Sequence, residues 1–463
     1  MAFEGENMKK AVKISGGVQN WQVFQQENGF ADISLNGVIY GDDEEITPSV
    51  YVRIVREDTG ETVSRWQPAQ RKSDGSWEIC LRQIPMGGLY RIETCMKETP
   101  ETPYEWAFRG DMRHHIGVGE LFVIAGQSNA SGYGKDAITD PPELGIHMLC
   151  NSDRWELATH PLNDSTDSCR PANIEDANSG HSPYLSFARM VKKFRNCPIG
   201  LIPCALGGTY LSDWDPNGGP LYANMVERVR LSGGNIRAVL WYQGCADARV
   251  ELSKTYEERF LKMVRSFRET FGKEIPFFTC QLNRVVGEAS YLDDESWTEV
   301  REAQRKAAAE APEIYVVPTL DGTLSDSIHN SAAFNLVIGE RLARQVLSTV
   351  WKYPIPSQAP DLIRATLKQN NQLELTFSPV YDYLYCYDIK PEDLPFSVKD
   401  QKGWITISSY YQKSPDTLVL QLSRPPLSEY TLYHAWGKDP KRQMVIDFGT
   451  HYPILGFIRR LKS

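Results

Sequence analysis

The chain has 463 residues and a formal net charge of −9 at neutral pH. This length exceeds a single core of ordinary size and predicts two or three domains. The acidic balance argues against nucleic acid and an anionic membrane surface as partners. Residues 1–17 lack an apolar export signal, and no later stretch is long and apolar enough to span a membrane, so we expect a cytoplasmic protein unless a signal has been removed.

The nine cysteines are odd in number and scattered in spacing, and no Cys-x-x-Cys pair occurs. Such a pattern argues against structural zinc and against a disulfide framework. We therefore expect buried free thiols in a reducing compartment.

Residues 1–112 are predicted to form a small β-sandwich. Short segments of strand-forming residues are separated by Asn-Gly, Asp-Gly and Gly-Gly turns, as is typical of antiparallel sheets. The predicted strands are 30–36, 50–55, 77–81 and 89–95.

Residues 113–353 are predicted to form a parallel α/β sheet with helices on both faces. Short, continuously apolar runs indicate strands that are buried on both sides. Amphipathic helical patterns lie between or after these runs, an alternation that is typical of α/β domains. The strands are 121–125, 199–202, 238–242, 276–280 and 314–317, and the helical patterns cover 184–194, 256–271 and 334–350.

The segment 352–360 is rich in proline and is interpreted as a linker. Beyond it, alternating apolar residues return at 372–377, 404–407 and 418–422. Residues 354–463 are therefore predicted to form a second, smaller all-β domain.

Ser128 is a candidate nucleophile because it follows the first apolar run of the α/β region, within Gly126-Gln127-Ser128-Asn129. Ligands of open α/β sheets bind beyond the carboxyl ends of the strands. A serine that caps a helix would give the same local pattern, and the motif alone does not separate the two interpretations.

His329 is the candidate base. A serine nucleophile needs a base to take its proton, and the base needs an acceptor that fixes its tautomer. Among the eight histidines, His329 is the one that follows the last strand of the α/β region with an aspartate close upstream. That acid is Asp326, and Asp321 is its rival.

Glycine-bearing turns follow two further strands, at Gly207-Gly208-Thr209 and at Gln243-Gly244. Acyl transfer requires donors aimed at a developing oxyanion, which a backbone N–H and a side-chain amide can supply. The glycines could equally serve only to let a strand and a helix pack closely.

Together, these motifs occur in the order seen in SGNH hydrolases, and the set resembles the sialate O-acetylesterase branch. The resemblance covers residues 115 to 350 and rests on Gly126–Asn129, Gly207–Thr209, Trp241–Gly244 with Asp247, and Asp326–His329. It implies a flavodoxin-like sheet flanked by small β domains. It also implies a serine acetylesterase that hydrolyses O-acetylated sugars and needs no metal or organic cofactor.

The resemblance also assigns roles to residues. Ser128 matches the nucleophile, His329 the base and Asp326 its partner. The oxyanion donors would be the N–H groups of Ser128 and Gly208 and the amide of Gln243, and the residues expected to contact substrate are Gln127, Asn129 and Thr209.

Two positions depart from the branch. Cys245 stands where a glutamate is usual after Gln-Gly, and we interpret it as a small packed residue. Ala130 stands where a methionine is usual, close to the expected acyl group. Carboxylate binders suited to sialic acid are offered by Arg170, Arg249 and Arg284, although each could be ordinary surface charge.

Several alternative functions are compatible with parts of this sequence. An acetylxylan esterase of the same branch, or a non-catalytic carbohydrate-binding protein on a hydrolase fold, would share most of these features. The motif around Ser128 lacks the second glycine of Gly-x-Ser-x-Gly, which argues against an ordinary α/β-hydrolase. Gly132-Tyr-Gly134 does not directly follow a strand and is rejected as a dinucleotide fingerprint. His114-His115 is interpreted as loop surface.

Overall fold

The structure is a computed structural model that describes residues 11–40, 48–175, 179–272, 274–287 and 292–462. Most of the N-terminal segment on which the export-signal argument depends lies outside the described residues. Within them, no helix combines the length and apolarity needed to cross a membrane.

The N-terminal region consists of two facing sheets. Alternate residues of each sheet point inward and form one apolar cluster, in which Ile33 and Leu35 of one sheet meet Ile54 and Ile92 of the other. One sheet has the order β1-β3-β7-β6, and β4, β5 and β8 belong to the other. The strands are β1 (Ala11–Gly16), β2 (Val23–Gln25), β3 (Phe30–Tyr40), β4 (Ser49–Arg56), β5 (Thr62–Pro68), β6 (Gln70–Arg71), β7 (Ser76–Pro85) and β8 (Gly87–Lys97).

The next strand, β9 (Phe108–Gly126), is 19 residues long and crosses the predicted domain boundary at residue 112. Its first part pairs with β8, and its last part pairs with two strands of the central sheet. β2 also pairs with it, in parallel, at Gly117–Gly119. The two regions therefore share one strand, and the division at residue 112 stays a prediction.

The central region is the α/β unit predicted from the sequence. Its strands and helices are α1 (Ser128–Ser131), β10 (Ile146–Leu149), β11 (Trp155–Leu157), α2 (Tyr184–Arg195), β12 (Ile199–Pro203), α3 (Pro220–Leu231), β13 (Ala238–Tyr242), α4 (Val250–Ser253), α5 (Tyr256–Phe271), β14 (Phe277–Cys280), α6 (Asp294–Glu310), β15 (Ile314–Val317) and α7 (Ala332–Val350).

The central sheet has the order β11-β10-β12-β9-β13-β14-β15, and only β11 runs antiparallel to its neighbour. Without the edge strands β10 and β11, this is the flavodoxin-like order 2-1-3-4-5. α2 packs against α7, and α5 packs against α6. Right-handed connections place these two pairs on opposite faces. Strand order reverses between β9 and β13, where ligands of such sheets bind.

Helices α3 and α6 were not recognised in the sequence. The inner face of α6 buries Arg301, Gln304 and Arg305, so no clean apolar stripe reveals it. Arg301 donates to the carbonyl oxygens of Ala435 and Gly437, at 3.0 and 2.6 Å, and thereby attaches the C-terminal region. Burial lowers the pKa of Arg301 to about 9.

The C-terminal region is all-β, as predicted. Two four-stranded sheets, β16-β17-β22-β21 and β20-β19-β23-β26, enclose a second apolar cluster, and β18, β24 and β25 form a small third sheet. The strands are β16 (Asp361–Lys368), β17 (Gln372–Ser378), β18 (Leu384–Tyr385), β19 (Phe396–Asp400), β20 (Gly403–Ile405), β21 (Ile407–Ser414), β22 (Thr417–Leu422), β23 (Glu429–His434), β24 (Ile446–Asp447), β25 (Tyr452–Pro453) and β26 (Phe457–Lys462).

The cysteines are free, but the expectation that all of them are buried is wrong. Cys169 is exposed, and its Sγ lies 3.2 Å from the carbonyl oxygen of Asn151. It belongs to an irregular loop that follows the edge strand β11, where little of the chain is available to cover it.

Candidate active site

Ser128 begins α1 directly beyond the end of β9. The turn between them requires glycine at position 126, because φ is +130° and a Cβ there would lie 2.2 Å from the carbonyl oxygen of Tyr242 on β13. The N–H of Gln127 donates to the same carbonyl at 3.0 Å. The close approach of β9 and β13 therefore fixes Ser128 at the point where strand order reverses.

The structure brings Ser128, His329 and Asp326 together, although 201 residues separate the first two. His329 Nε2 lies 2.9 Å from Ser128 Oγ, and His329 Nδ1 lies 2.6 Å from Asp326 Oδ2. A carboxylate on Nδ1 favours the tautomer in which Nε2 can accept the serine proton. This arrangement has the geometry of a serine nucleophile with its general base.

Asp326 is held as a carboxylate. Partial burial raises its pKa, but the hydrogen bonds from the His329 ring and from the N–H groups of Ile328 and His329 outweigh burial and keep the pKa below the ordinary 3.8. The rival acid, Asp321, lies elsewhere: both of its oxygens accept from the guanidinium of Arg341, at 2.8 and 2.6 Å.

The loop that carries Asp326 and His329 is fastened to the nucleophile turn. Asn129 Oδ1 accepts from the N–H of Asn330 at 3.0 Å. Asn283 Nδ2 donates to the carbonyl of Ile328 and to Asn330 Oδ1, both at 2.8 Å. Asn129 is buried, and its hydrogen bond to Asn330 holds the loop that carries His329 in register with Ser128. Its direct contact with substrate stays a prediction.

Gly208 lies at the tip of the loop after β12, exposed and with φ of +70°. In the same loop, Thr209 Oγ1 donates to the carbonyl of Leu206 at 2.9 Å. This hydroxyl is thus engaged within its own turn, and its contact with substrate stays a prediction.

Gln243 is fully buried, and its amide is already engaged. Nε2 donates to Asp247 Oδ2 at 2.6 Å and to the carbonyl of Thr209 at 3.3 Å. An amide nitrogen has two hydrogens, so both are used inside the protein. A role for Gln243 as third oxyanion donor requires it to leave one of these partners, and stays a prediction.

Gln127 and Cys245 lie beneath the turn. Gln127 Oε1 accepts from the N–H groups of Gly244 and Ala246, at 3.1 and 3.2 Å, which ties the nucleophile turn to the loop after β13. Its contact with substrate stays a prediction. Burial raises the pKa of Cys245 to about 12, so it remains a thiol at neutral pH.

Two residues that the sequence did not single out lie beside the catalytic residues. The ring of Tyr133 stacks on the His329 imidazole, with centroids 4.8 Å apart, and the Tyr133 hydroxyl donates to Glu175. Burial raises the pKa of Glu175, and a hydrogen bond from the backbone N–H of Gly207 partly offsets this effect. Tyr133 follows Ser128 by only five residues, whereas nothing in the local sequence distinguishes Glu175.

The three candidate carboxylate binders differ. Arg170 pairs with Asp153 through Nη2 at 2.5 Å, and Arg284 donates to the carbonyl of Gly322 at 3.0 Å. Arg249 is exposed and lies over the ring of Tyr210, 5.4 Å from its centroid, beside the Gly208 loop. The interpretation of His114 and His115 as loop surface is wrong, because both lie within β9. They are partly exposed, and each contacts Glu57 through Nδ1.

Comparison with known proteins gives this geometry its context. Residues 118–348 match the family model described as carbohydrate esterase, sialic acid-specific acetylesterase. A probable carbohydrate esterase from Arabidopsis thaliana is 28% identical over 261 residues, which cover 51% of this chain and 94% of the relative. The crystal structure of a carbohydrate acetylesterase from Xanthomonas citri superimposes with a TM-score of 0.68 at 18% identity, covering 97% of this chain and 99% of that one.

The fold and the comparisons define the protein as a carboxylic ester hydrolase. Through residues 118–348, the chain belongs to the carbohydrate esterase family of sialic acid-specific acetylesterases, and its activity is that of a carbohydrate acetylesterase. The flanking β regions share the arrangement of the Xanthomonas enzyme, which matches along almost the whole chain.

Proposed function

We propose that the protein removes acetyl groups from O-acetylated sugars by a Ser-His-Asp acyl-enzyme mechanism. The observation that carries the proposal is the continuous chain of contacts from Ser128 Oγ through the His329 imidazole to Asp326, with spacings of 2.9 and 2.6 Å. Both are hydrogen-bonding distances, so a proton can pass from the hydroxyl to the imidazole without rearrangement.

In the first half-reaction, Ser128 Oγ bonds to the acetyl carbonyl carbon while His329 takes the hydroxyl proton. His329 then returns this proton to the sugar oxygen as its bond to the acetyl carbon breaks. In the second half, a water molecule attacks the acetyl-serine, His329 takes its proton, and acetate leaves as the proton returns to Ser128 Oγ. Asp326 stabilises the imidazolium in both halves.

Two backbone groups are proposed to hold the oxyanion. The N–H of Ser128 belongs to the first turn of α1, where no intrahelical acceptor is available. The N–H of Gly208 lies on the exposed tip of the neighbouring loop, whose open conformation requires positive φ. Such donors act where charge develops and are worth about 3 kcal/mol each.

Sialic acid is the first substrate to propose, because the matched family is described by it. Its carboxylate would need a cation, and Arg249 beside the Gly208 loop is the candidate. An acetylated neutral polysaccharide such as xylan is the second. It is favoured by Glu175, whose carboxyl lies against Gly207 and in its ionised form would repel an anionic sugar.

The test of both the mechanism and the substrate is acetate release by the wild type and by Ser128→Ala. Release is measured on a small acetyl ester, on O-acetylated sialic acid and on acetylated xylan. We expect release by the wild type and a loss of about 10⁴- to 10⁶-fold in kcat for the variant, with the thermal transition unchanged. Release by both proteins alike would reject the mechanism, and release by neither would favour a binding protein.

The preferred sugar separates the two substrates. Arg249→Ala should raise KM for O-acetylated sialic acid and leave KM for acetylated xylan unchanged if the anionic sugar is the substrate. A wild type that prefers xylan, with Arg249→Ala indistinguishable from it, would reject the sialate proposal without affecting the mechanism.

A further inference from the structure

Two imidazoles and a carboxylate converge in a cluster next to the catalytic cleft. Asp140 Oδ2 lies 3.0 Å from His160 Nε2 and 3.0 Å from His181 Nε2. Each of the three residues offers one possible ligand atom, and these atoms lie within 4.8 Å of one another. The two rings are tilted by 33° with centroids 4.1 Å apart, and the Nε2 atoms of both lie beside the same carboxylate oxygen.

The geometry points to a divalent transition-metal site at Asp140, His160 and His181, with Zn²⁺ as the ion that fits this donor set. Two neutral imidazoles and one carboxylate are common zinc ligands, whereas Ca²⁺ and Mg²⁺ take oxygen ligands. Ligand atoms on a tetrahedral zinc lie about 3.4 Å apart, given bonds of about 2.0–2.1 Å. Each imidazole would move outward by about 0.4 Å to admit the ion.

The surroundings suit a built site. The side chains of Asp140 and His181 are 2% and 7% exposed, so the ligands are held by packing. Arg189 Nη2 donates to the other oxygen of Asp140, at 2.8 Å, and orients the carboxylate. Arg189 also pairs with Glu143, which offsets its charge. His160 is 15% exposed and leaves access for water as a fourth ligand.

The ligands come from three separate segments of chain, spaced 20 and 21 residues apart. Such spacing matches no compact ligand motif, which is why the sequence gives no sign of a metal. The site would fasten these segments together, much as a cross-link does.

The segment that carries His181 is connected to the catalytic base through two intervening residues. The backbone of His181 exchanges two hydrogen bonds with Gly134, at 2.9 and 3.2 Å. Gly134 follows Tyr133, whose ring stacks on His329. A bound metal would therefore stiffen the wall of the cleft that supports the imidazole, and we expect it to raise the thermal transition rather than to take part in bond cleavage.

The test is calorimetric titration with Zn²⁺ of protein dialysed against a chelator and lacking any histidine tag. We expect one ion per chain in the wild type, and affinity at least 100-fold weaker in His160→Gln, because even the partners of metal ligands contribute about 10- to 100-fold. His451→Gln is the matched control, since it removes an exposed histidine that lies outside this cluster. Its affinity should equal that of the wild type.

Co²⁺ gives a second measurement that does not depend on a variant. Four-coordinate Co²⁺ bound by the wild type should absorb strongly in the visible range, and Zn²⁺ should abolish this spectrum by displacement. Absence of stoichiometric Zn²⁺ binding would overturn the proposal. So would equal affinity in His160→Gln, or a Co²⁺ spectrum typical of the hydrated ion.

Discussion

Two clusters of aspartate and histidine lie close together in this protein, and they differ in what the imidazole nitrogens face. In the first, Asp326 contacts Nδ1 of His329 and leaves Nε2 to the Ser128 hydroxyl. In the second, Nε2 of both His160 and His181 faces Asp140. The first carboxylate is 47% exposed and the second is 2% exposed.

The comparison shows that the same residue types acquire different chemistry from orientation and access. A base must present a nitrogen to a reacting proton in an open cleft, whereas ligands or structural partners turn their nitrogens toward each other. Substitutions in the first cluster should therefore act on rate, and those in the second on stability.

The largest expected difference concerns the two candidate acids of the first cluster. Asp326→Asn should lower kcat by about 10²- to 10⁴-fold, because the imidazole loses both its tautomer control and its charge partner. Asp321→Asn should leave kcat within about threefold, since Asp321 pairs with Arg341. Steady-state kinetics on a small acetyl ester measures both, and an equal loss in the two variants would reassign the acid.

In the second cluster, Asp140→Asn should destabilise the metal-free protein by about 2 kcal/mol. The histidines use one oxygen of Asp140 and Arg189 uses the other, whereas asparagine keeps only one acceptor oxygen, so one side of the cluster loses its acceptor in a buried place. Urea unfolding in the presence of a chelator measures the change. A loss of kcat as large as that of Asp326→Asn, with unchanged stability, would contradict the division between the clusters.

Tyr133 connects the two clusters, and its effect should be smaller. Tyr133→Leu removes the ring that stacks on His329 and should lower kcat by about 2- to 12-fold, which corresponds to the roughly 0.5–1.5 kcal/mol of an aromatic pair. Tyr133→Phe keeps the ring and loses only the bond to Glu175, so its kcat should lie closer to the wild type. An equal loss of kcat in both variants would show that the hydroxyl, not the ring, supports catalysis.

The smallest effect should be seen in the pH dependence of stability. The pKa of Asp326 is below 3.8 in the folded protein, so its ionised form stabilises the fold at any pH above about 4 and this contribution is lost as the pH falls through the folded pKa. The stability difference between wild type and Asp326→Asn should thus be present at pH 7 and pH 5 and shrink near pH 3. A difference that grew on acidification would have the wrong sign.

Much of the fold and part of the candidate site could be predicted from the sequence. Buried strands have continuous apolar runs, so 199–202 and 238–242 were placed almost to the residue, and the ends of those strands led to the site. Helix α6 was missed because its inner face carries Arg301 and Gln304, whose partners lie far along the chain. Local pattern holds no information on such partners.

The same reason explains what was missed in the cleft. Ser128 and His329 belong to short motifs at strand ends, whereas Glu175 and His160 lie in irregular loops whose positions depend on tertiary packing. Gly132 belongs to the motif that was rejected as a dinucleotide fingerprint, and the structure shows why a glycine is needed there. A Cβ at this position would lie 2.5 Å from Ser182 Cβ, so the glycine allows close packing beside His181.

The shared strand β9 limits where this enzyme can be truncated or joined to other domains. The same 19 residues close the N-terminal sandwich, accept β2 along one edge and deliver the nucleophile at their far end. A cut at residue 112 would strip partners from Ile116 and Val118, which are buried in the sandwich. We therefore expect a chain that keeps the whole sandwich to be more stable than one cut at residue 112, and chimeras that exchange this part should be joined within a loop, not within β9.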